Sequence, residues 1–131
     1  MSQFVFTVPS SDGFETTVQR VTEALKTEGF GVLTQIDVAA TLKAKLGVDG
    51  RPYLILGACN PHFAHQALEA DPDIGALLPC NVVVREEQDG KVNVVFMDPA
   101  AVLGMVANPT IESLGHEVAD KLQRVATALN A

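Results

Sequence analysis

Two apolar runs on either side of a tight turn limit what this chain can fold into more than any other feature. Val82-Val83-Val84 and Val92-Asn93-Val94-Val95-Phe96 are separated by a short polar stretch containing Asp89-Gly90. Runs rich in β-branched and aromatic residues favour strands, and a tight turn needs positive φ angles that Asp and Gly adopt at little cost. The segment therefore reads as a β-hairpin, and antiparallel pairing enters the sheet with it.

Three further strands follow from the same signals. Phe4 to Val8 reads as the first, stopped by Pro9, and Phe30 to Ile36 as the second. Pro52 to Leu56 is a nearly continuous apolar run bounded by Gly50 and Gly57, the pattern of a central strand buried on both faces. Cys80 to Arg85 leads into the hairpin.

The helices announce themselves by period and by cap. Phe14, Val18, Val21 and Leu25 fall on one stripe at 3.6 residues per turn, with Asp12 and Glu15 placed for a capping box and Gly29 for the C-terminal end. Asp37 is placed to cap a short helix carrying Val38, Leu42 and Leu46 and stopped by Gly47. Asn60-Pro61 opens another helix, which Asp71-Pro72 breaks, and a single helical turn then runs to Leu78 ahead of Pro79. Asp98-Pro99 starts a short helix through Val106, and Asn108-Pro109 starts the last one. In that last helix Ile111, Leu114, Val118, Leu122, Val125 and Leu129 keep one face apolar. Glu117 with Lys121 and Asp120 with Arg124 offer i,i+4 ion pairs on the other face, where His116 is expected to be exposed and without a role.

These elements predict an α+β two-layer fold over residues 1–131 as one domain. A roughly five-stranded sheet, mixed or antiparallel, carries the N- and C-terminal amphipathic helices on one face. Its strands are apolar at consecutive positions, so the other face needs a cover. A homodimer would supply it, and so would short helices of the same chain.

Sixteen acidic residues against nine basic ones give a net charge of -7, and no Lys/Arg cluster interrupts the negative balance. That repels phosphate backbones and excludes nucleic acid as an expected partner. No window reaches the roughly 20 apolar residues of a membrane span, and Met1-Ser2-Gln3-Phe4 lacks a basic region followed by an apolar run. The expectation is a cytoplasmic protein, without membrane attachment, whose two thiols stay reduced.

Chemistry-bearing side chains concentrate between Gly57 and Asn81. Cys59-Asn60-Pro61-His62 and His65 are followed by Pro79-Cys80-Asn81, which places both cysteines and two of three histidines in one stretch. On a helical wheel, Phe63, Ala64, Ala67 and Leu68 share the core-seeking side, while His62, His65, Gln66 and Glu69 share the other. That polar side is either an ordinary solvated face or the wall of a ligand site. Cys59 precedes a helix N-terminus, where a thiol pKa can be lowered, and it equally suits a small buried hydrophobe. Cys80 reads as buried packing. Asn60 reads as a cap and Asn81 as a buried amide bonded to a neighbouring loop.

Three chemical constructions fit these residues. Cys59, His62, His65 and Cys80 together supply two sulfurs and two imidazole nitrogens to a soft metal, and the histidines could instead give an axial ligand to a haem. Cys59 could be a nucleophile with His65 or His62 as its base and Asn60 or Asn81 orienting the imidazole or donating to an oxyanion. Backbone N–H groups after Gly57 could hold an anionic small molecule at the helix N-terminus, although neither a P-loop nor a dinucleotide fingerprint occurs. A purely structural or protein-interaction module is a further reading, favoured if both thiols are fully buried with no cavity beside them.

Gly29-Phe30-Gly31-Val32-Leu33-Thr34 leading to Ile36-Asp37, then Tyr53 to Pro61 with Ala64-His65 and Ala67-Leu68, then Leu78-Pro79-Cys80-Asn81-Val82, resemble the prokaryotic family known as domain of unknown function 302. The resemblance spans essentially the whole chain. It implies a compact α+β domain that forms a homodimer, and it carries no reaction. It singles out Cys59, Asn60, Pro61, His65, Cys80 and Asn81 as motif positions, and His62 is not among them. The combined expectation is a non-catalytic protein that binds a small ligand, metal or haem at Cys59, Asn60, His65, Cys80 and Asn81. A cysteine-dependent enzyme using Cys59 with His65 is the alternative.

Overall fold

Strand β4 (Cys80–Glu86) sits at the centre of the sheet, because both of its edges are taken. Strand β5 (Val92–Met97) pairs with one edge and β3 (Tyr53–Cys59) with the other, while β1 (Val5–Ser10) lies outside β5 and β2 (Gly31–Asp37) outside β3. Every pairing is antiparallel, so of the two expected sheet types the antiparallel one forms. The computed structural model describes residues 3–130; Met1, Ser2 and Ala131, and with them the start of the N-terminal motif read above, lie outside the described residues.

Residues directly opposite each other in a sheet share a face. Leu56 faces Val82, Val82 faces Phe96 and Phe96 faces Phe6, and this line forms the core side of the sheet. Helices α1 (Phe14–Thr27) and α5 (Pro109–Leu129) cover it with Val21, Leu25, Leu122 and Val125, all but completely buried. Each such side chain contributes about 1.5–3 kcal/mol when removed from water. On the opposite face Tyr53, Ile55, Val83 and Val95 stay only half-buried, and Thr7 and Asn81 are exposed. Strand β3 is therefore buried on one face rather than on both.

The strands also run further than their sequence punctuation indicates. β1 continues through Pro9 to Ser10, because on an edge strand the missing N–H breaks no ladder bond. β3 continues through Gly57 to Cys59. Gly57 marks a close approach there, since a Cβ at that position would collide with Thr34 Oγ1 and the Pro79 ring. The hairpin turn is Gln88-Asp89-Gly90, with the Gly90 N–H donating to the Glu87 carbonyl at 2.9 Å. Only Gly90 has positive φ, at +86°, while the Asp89 carboxylate accepts from the Lys91 N–H at 2.9 Å.

Four expected local pairings give way to partners distant in sequence. Asp12 does not cap α1, and no capping box forms with Glu15: Gly13 is the N-cap residue, and the Asp12 carboxylate takes Arg20 at 2.6 Å. The guanidinium gives that carboxylate a charged partner, where the cap would give it only backbone N–H groups. Arg20 also donates to the Leu129 carbonyl at 2.9 Å, tying α1 to the end of α5. Neither the Glu117–Lys121 nor the Asp120–Arg124 pair forms among the described residues. Arg124 instead reaches Glu28 at 2.9 Å, and the Lys121 ammonium stands 5.9 Å from the centre of the Phe63 ring. Exposed i,i+4 pairs stabilise a helix by only about 0.3–0.5 kcal/mol, so a tertiary partner readily displaces them.

Elsewhere local chemistry acts as read. Gly29, at φ +85°, ends α1, with Phe30 N–H donating to Leu25 O at 3.0 Å and Gly29 N–H to Lys26 O at 3.1 Å. Asp37 caps α2 (Val38–Leu46) through the Ala40 N–H at 2.9 Å. Asp98 caps α4 (Pro99–Leu103), which stops short of Val106, and Asn108 caps α5. Helix α3 (Pro61–Ala70) and a 3-10 helix (Pro72–Leu77) pack with α4 on the first half of α5. Their apolar residues form a second, smaller cluster of Ala67, Ile74, Leu103, Ile111 and Leu114. No helix among the described residues is long and apolar enough to cross a membrane.

The contact between α4 and α5 depends on Gly115. A Cβ there would lie 2.8 Å from the Pro99 carbonyl oxygen and 3.2 Å from Leu103 Cβ. Helix propensity alone favours Gly115→Ala by up to about 1 kcal/mol, whereas overpacking against backbone costs about 1–3 kcal/mol. The clash is expected to win. Urea denaturation should give Gly115→Ala a lower midpoint than the parent protein.

Candidate functional site

The site grows from the corner where β3 becomes α3. Pro61 takes the first helical position, and the Asn60 backbone has the extended conformation of an N-cap, φ -103° and ψ 109°. Its side chain, however, makes no capping bond. The amide turns away, and Nδ2 donates to the Glu28 carbonyl at 3.3 Å, at the C-terminal end of α1. Nδ2 passes so close to Gly29 that a Cβ there would lie 3.0 Å from it. One side chain thereby joins the start of α3 to the end of α1.

This bond leaves the other half of the amide without a partner. Asn60 is 8% exposed, and its Oδ1 is buried with no hydrogen bond. An acceptor in that state costs about 1–3 kcal/mol. Beside it lies a cavity of about 30 Å3, walled by Phe30, Phe63, Leu78, Leu103, Leu114 and Val118, with Cys59, Cys80 and Pro79 completing the corner. Phe30, Cys80 and Val118 belong to the main core and Leu103 and Leu114 to the smaller cluster, so the cavity lies on the seam between them.

Strand register separates the residues that the sequence places together. Ala58 faces Cys80 on the core side, and Cys59, the last residue of β3, is partly buried among the residues lining the cavity. Gly57 faces Asn81 on the open face of the sheet, and Asn81 is exposed rather than a buried amide. His62 and His65 are both exposed on α3, as the helical wheel indicates, and Phe63, Ala64 and Ala67 point to the cavity. Leu68, expected on the core side, is 42% exposed. Of the five proposed ligand-binding residues, Cys59, Asn60 and Cys80 meet at the cavity; His65 and Asn81 do not.

The four-residue metal set is therefore not assembled. Among the described residues no group of three or more His, Cys, Asp or Glu side chains could hold a metal ion. The haem reading meets a similar obstacle, because ligand pockets need roughly 300 Å3 or more and the enclosed space is a tenth of that. The residues present fit neither group.

The thiols are also less reactive than their position in sequence indicates. Burial pushes the Cys59 thiol above its ordinary 9.0, overriding any lowering by the helix N-terminus. Burial, with a smaller contribution from Cys59, pushes Cys80 up to about 12. Neither favours a thiolate nucleophile near neutrality. Sequence reasoning missed the cavity walls on α4 and α5 and the Glu28 carbonyl; the Leu114/Val118 spacing on α5 marks a buried face but not what it meets.

A wider surface depression, about 950 Å3, lies at the other end of the sheet, around Ser10, Asp12, Glu87, Asp89 and Lys91. It is open and polar. Of its acidic side chains, Asp12 pairs with Arg20 and Glu87 with Arg85 and Asn93.

Cys80 supplies a pH prediction. Its folded pKa is raised, so the folded protein keeps a proton that the unfolded chain loses above 9.0. The associated stability is complete below pH 9 and falls as pH rises toward 12, by up to about 1.4 kcal/mol per pH unit. Denaturation measured from pH 8 to 10.5 should show a steeper alkaline loss for the parent than for Cys80→Ala. Equal slopes would contradict the burial argument.

No curated protein matches the chain. Residues 6–129 match the family described as "Domain of unknown function DUF302". A crystal structure of an uncharacterised conserved DUF302 protein from Bacillus stearothermophilus is similar at 35% identity, with 98% of each chain covered and a TM-score of 0.86. Two cysteine-asparagine motifs on one open antiparallel sheet, the match along nearly the whole chain and this structural likeness agree: the chain belongs to the DUF302 family.

Proposed function

We propose that this protein is a non-catalytic binding protein that holds a small ligand at the seam beneath α3. One observation carries the reading: Asn60, whose buried Oδ1 has no hydrogen-bond partner, is among the residues lining a small cavity at the seam. A buried polar atom of this kind calls for an occupant that supplies the missing bond. The raised thiol pKa values favour binding over cysteine catalysis, because a protonated thiol is a poor nucleophile. The condition for a purely structural module is also unmet, since Cys59 is only partly buried and a cavity adjoins it.

We further propose that the working unit is a homodimer formed through the open sheet face. Ile55, Val83 and Val95 lie there half-buried, with Ile36 50% exposed at the edge. Helix α2 beside β3 buries none of its residues, leaving Leu42 and Leu46 in water. Apart from Arg85 the paired open-face positions of β3, β4 and β5 carry no charge, so two copies of a chain with net charge -7 meet there with little repulsion.

Two measurements test these statements separately. In 15N–1H correlation spectra, a mixture of small fragments should perturb the amides of Ala58, Asn60, Phe63 and Cys80; perturbations confined to Ser10 and Asp89–Lys91 would place binding at the wrong end of the sheet. Light scattering should give twice the 13.9 kDa chain mass for the parent protein and a single chain mass for Val83→Lys. A monomeric parent would remove the dimer.

A further inference from the structure

The chemistry of the seam specifies what it accepts. Asn60 is held in one orientation, because exchanging its amide oxygen and nitrogen would set a carbonyl against the Glu28 carbonyl. The free group is therefore an acceptor, and its partner must be a donor. The remaining wall is Phe30, Phe63, Leu78, Leu103, Leu114 and Val118, with no ionised side chain among the cavity's lining residues. A charged ligand would lose its hydration there and gain no counter-ion.

The cavity, about 30 Å3, has room for about one water-sized group. A larger ligand enters where resistance is least. Helix α3 fully buries only Ala67, its side chain at the N-cap makes no capping bond, and it belongs to the smaller cluster on one side of the seam. Outward movement of α3 from the β3 corner would widen the space, with Phe63, which packs on both clusters, the main contact it gives up.

We infer that the seam binds a small uncharged molecule with an apolar body and one hydrogen-bond donor, of the alcohol or phenol class, its donor on Asn60 Oδ1. This rests on the seam being the binding site. Phenol, benzene and benzoate serve as probes, titrated at pH 7 into the 15N-labelled full-length protein. Phenol should shift the Asn60 and Phe63 amides with affinity about tenfold above benzene, the factor supplied by one net hydrogen bond, and benzoate should be without effect. In Asn60→Ala, with a well-dispersed spectrum as the check on folding, phenol should lose that advantage. Should the variant not fold, the ratio in the parent protein decides alone. Equal affinities for phenol and benzene, or preferential binding of benzoate, would overturn the donor specificity while leaving the seam a binding site. Absence of shifts at the seam with all three probes would overturn both.

Discussion

Everything at the candidate site depends on the register between β3 and β4. Ala58 faces Cys80 and Gly57 faces Asn81, and because side chains alternate, this pairing sorts each residue to one side of the sheet. A slip of one position would expel Leu56 and Ala58 from the core and bring Gly57 and Cys59 into it. The main core cluster, with Leu56, Val82, Val84, Val94 and Phe96 fully buried, enforces the observed register. The placement of Cys80 inside and Asn81 outside is a consequence of packing energy and not of any local preference of the cysteine-asparagine pair.

The same register sets the position of Asn60. Once Cys59 is the last residue of β3, the next side chain falls over the end of α1, where Gly29 leaves room for it and Glu28 offers a carbonyl. The bond to Glu28 uses only the donor side of the amide, and two apolar clusters meet at the place where the acceptor side is left over. A core packed without gaps would bury no such group. The seam between the clusters is thus the place where the unpartnered acceptor lies.

Local features of the chain were legible before the structure. The stripes of α1 and α5, the caps at Asp37, Asp98 and Asn108, and the hairpin each depend on residues within a few positions of one another, so a short window contains the whole cause. Asp12, Asn60 and Arg124 differ from their sequence-based expectation for the opposite reason. Their partners Arg20, Glu28 and again Glu28 lie 8, 32 and 96 positions away, and no local pattern names them. Grouping His62, His65 and Asn81 with the cysteines treated nearness in sequence as nearness in space. Helical and strand periodicity had already placed the histidines on a solvated side; only the pairing of Gly57 with Asn81 reveals where that asparagine goes.

Native-state hydrogen exchange tests the central claim most directly, that α3 can part from the β3 corner along the Asn60 seam. The account predicts that amides of α3 exchange through an opening of lower free energy than amides of β3, β4 and β5, which wait for global unfolding. If amides of α3 exchange only with the global transition, the seam does not open, and the two clusters are one core.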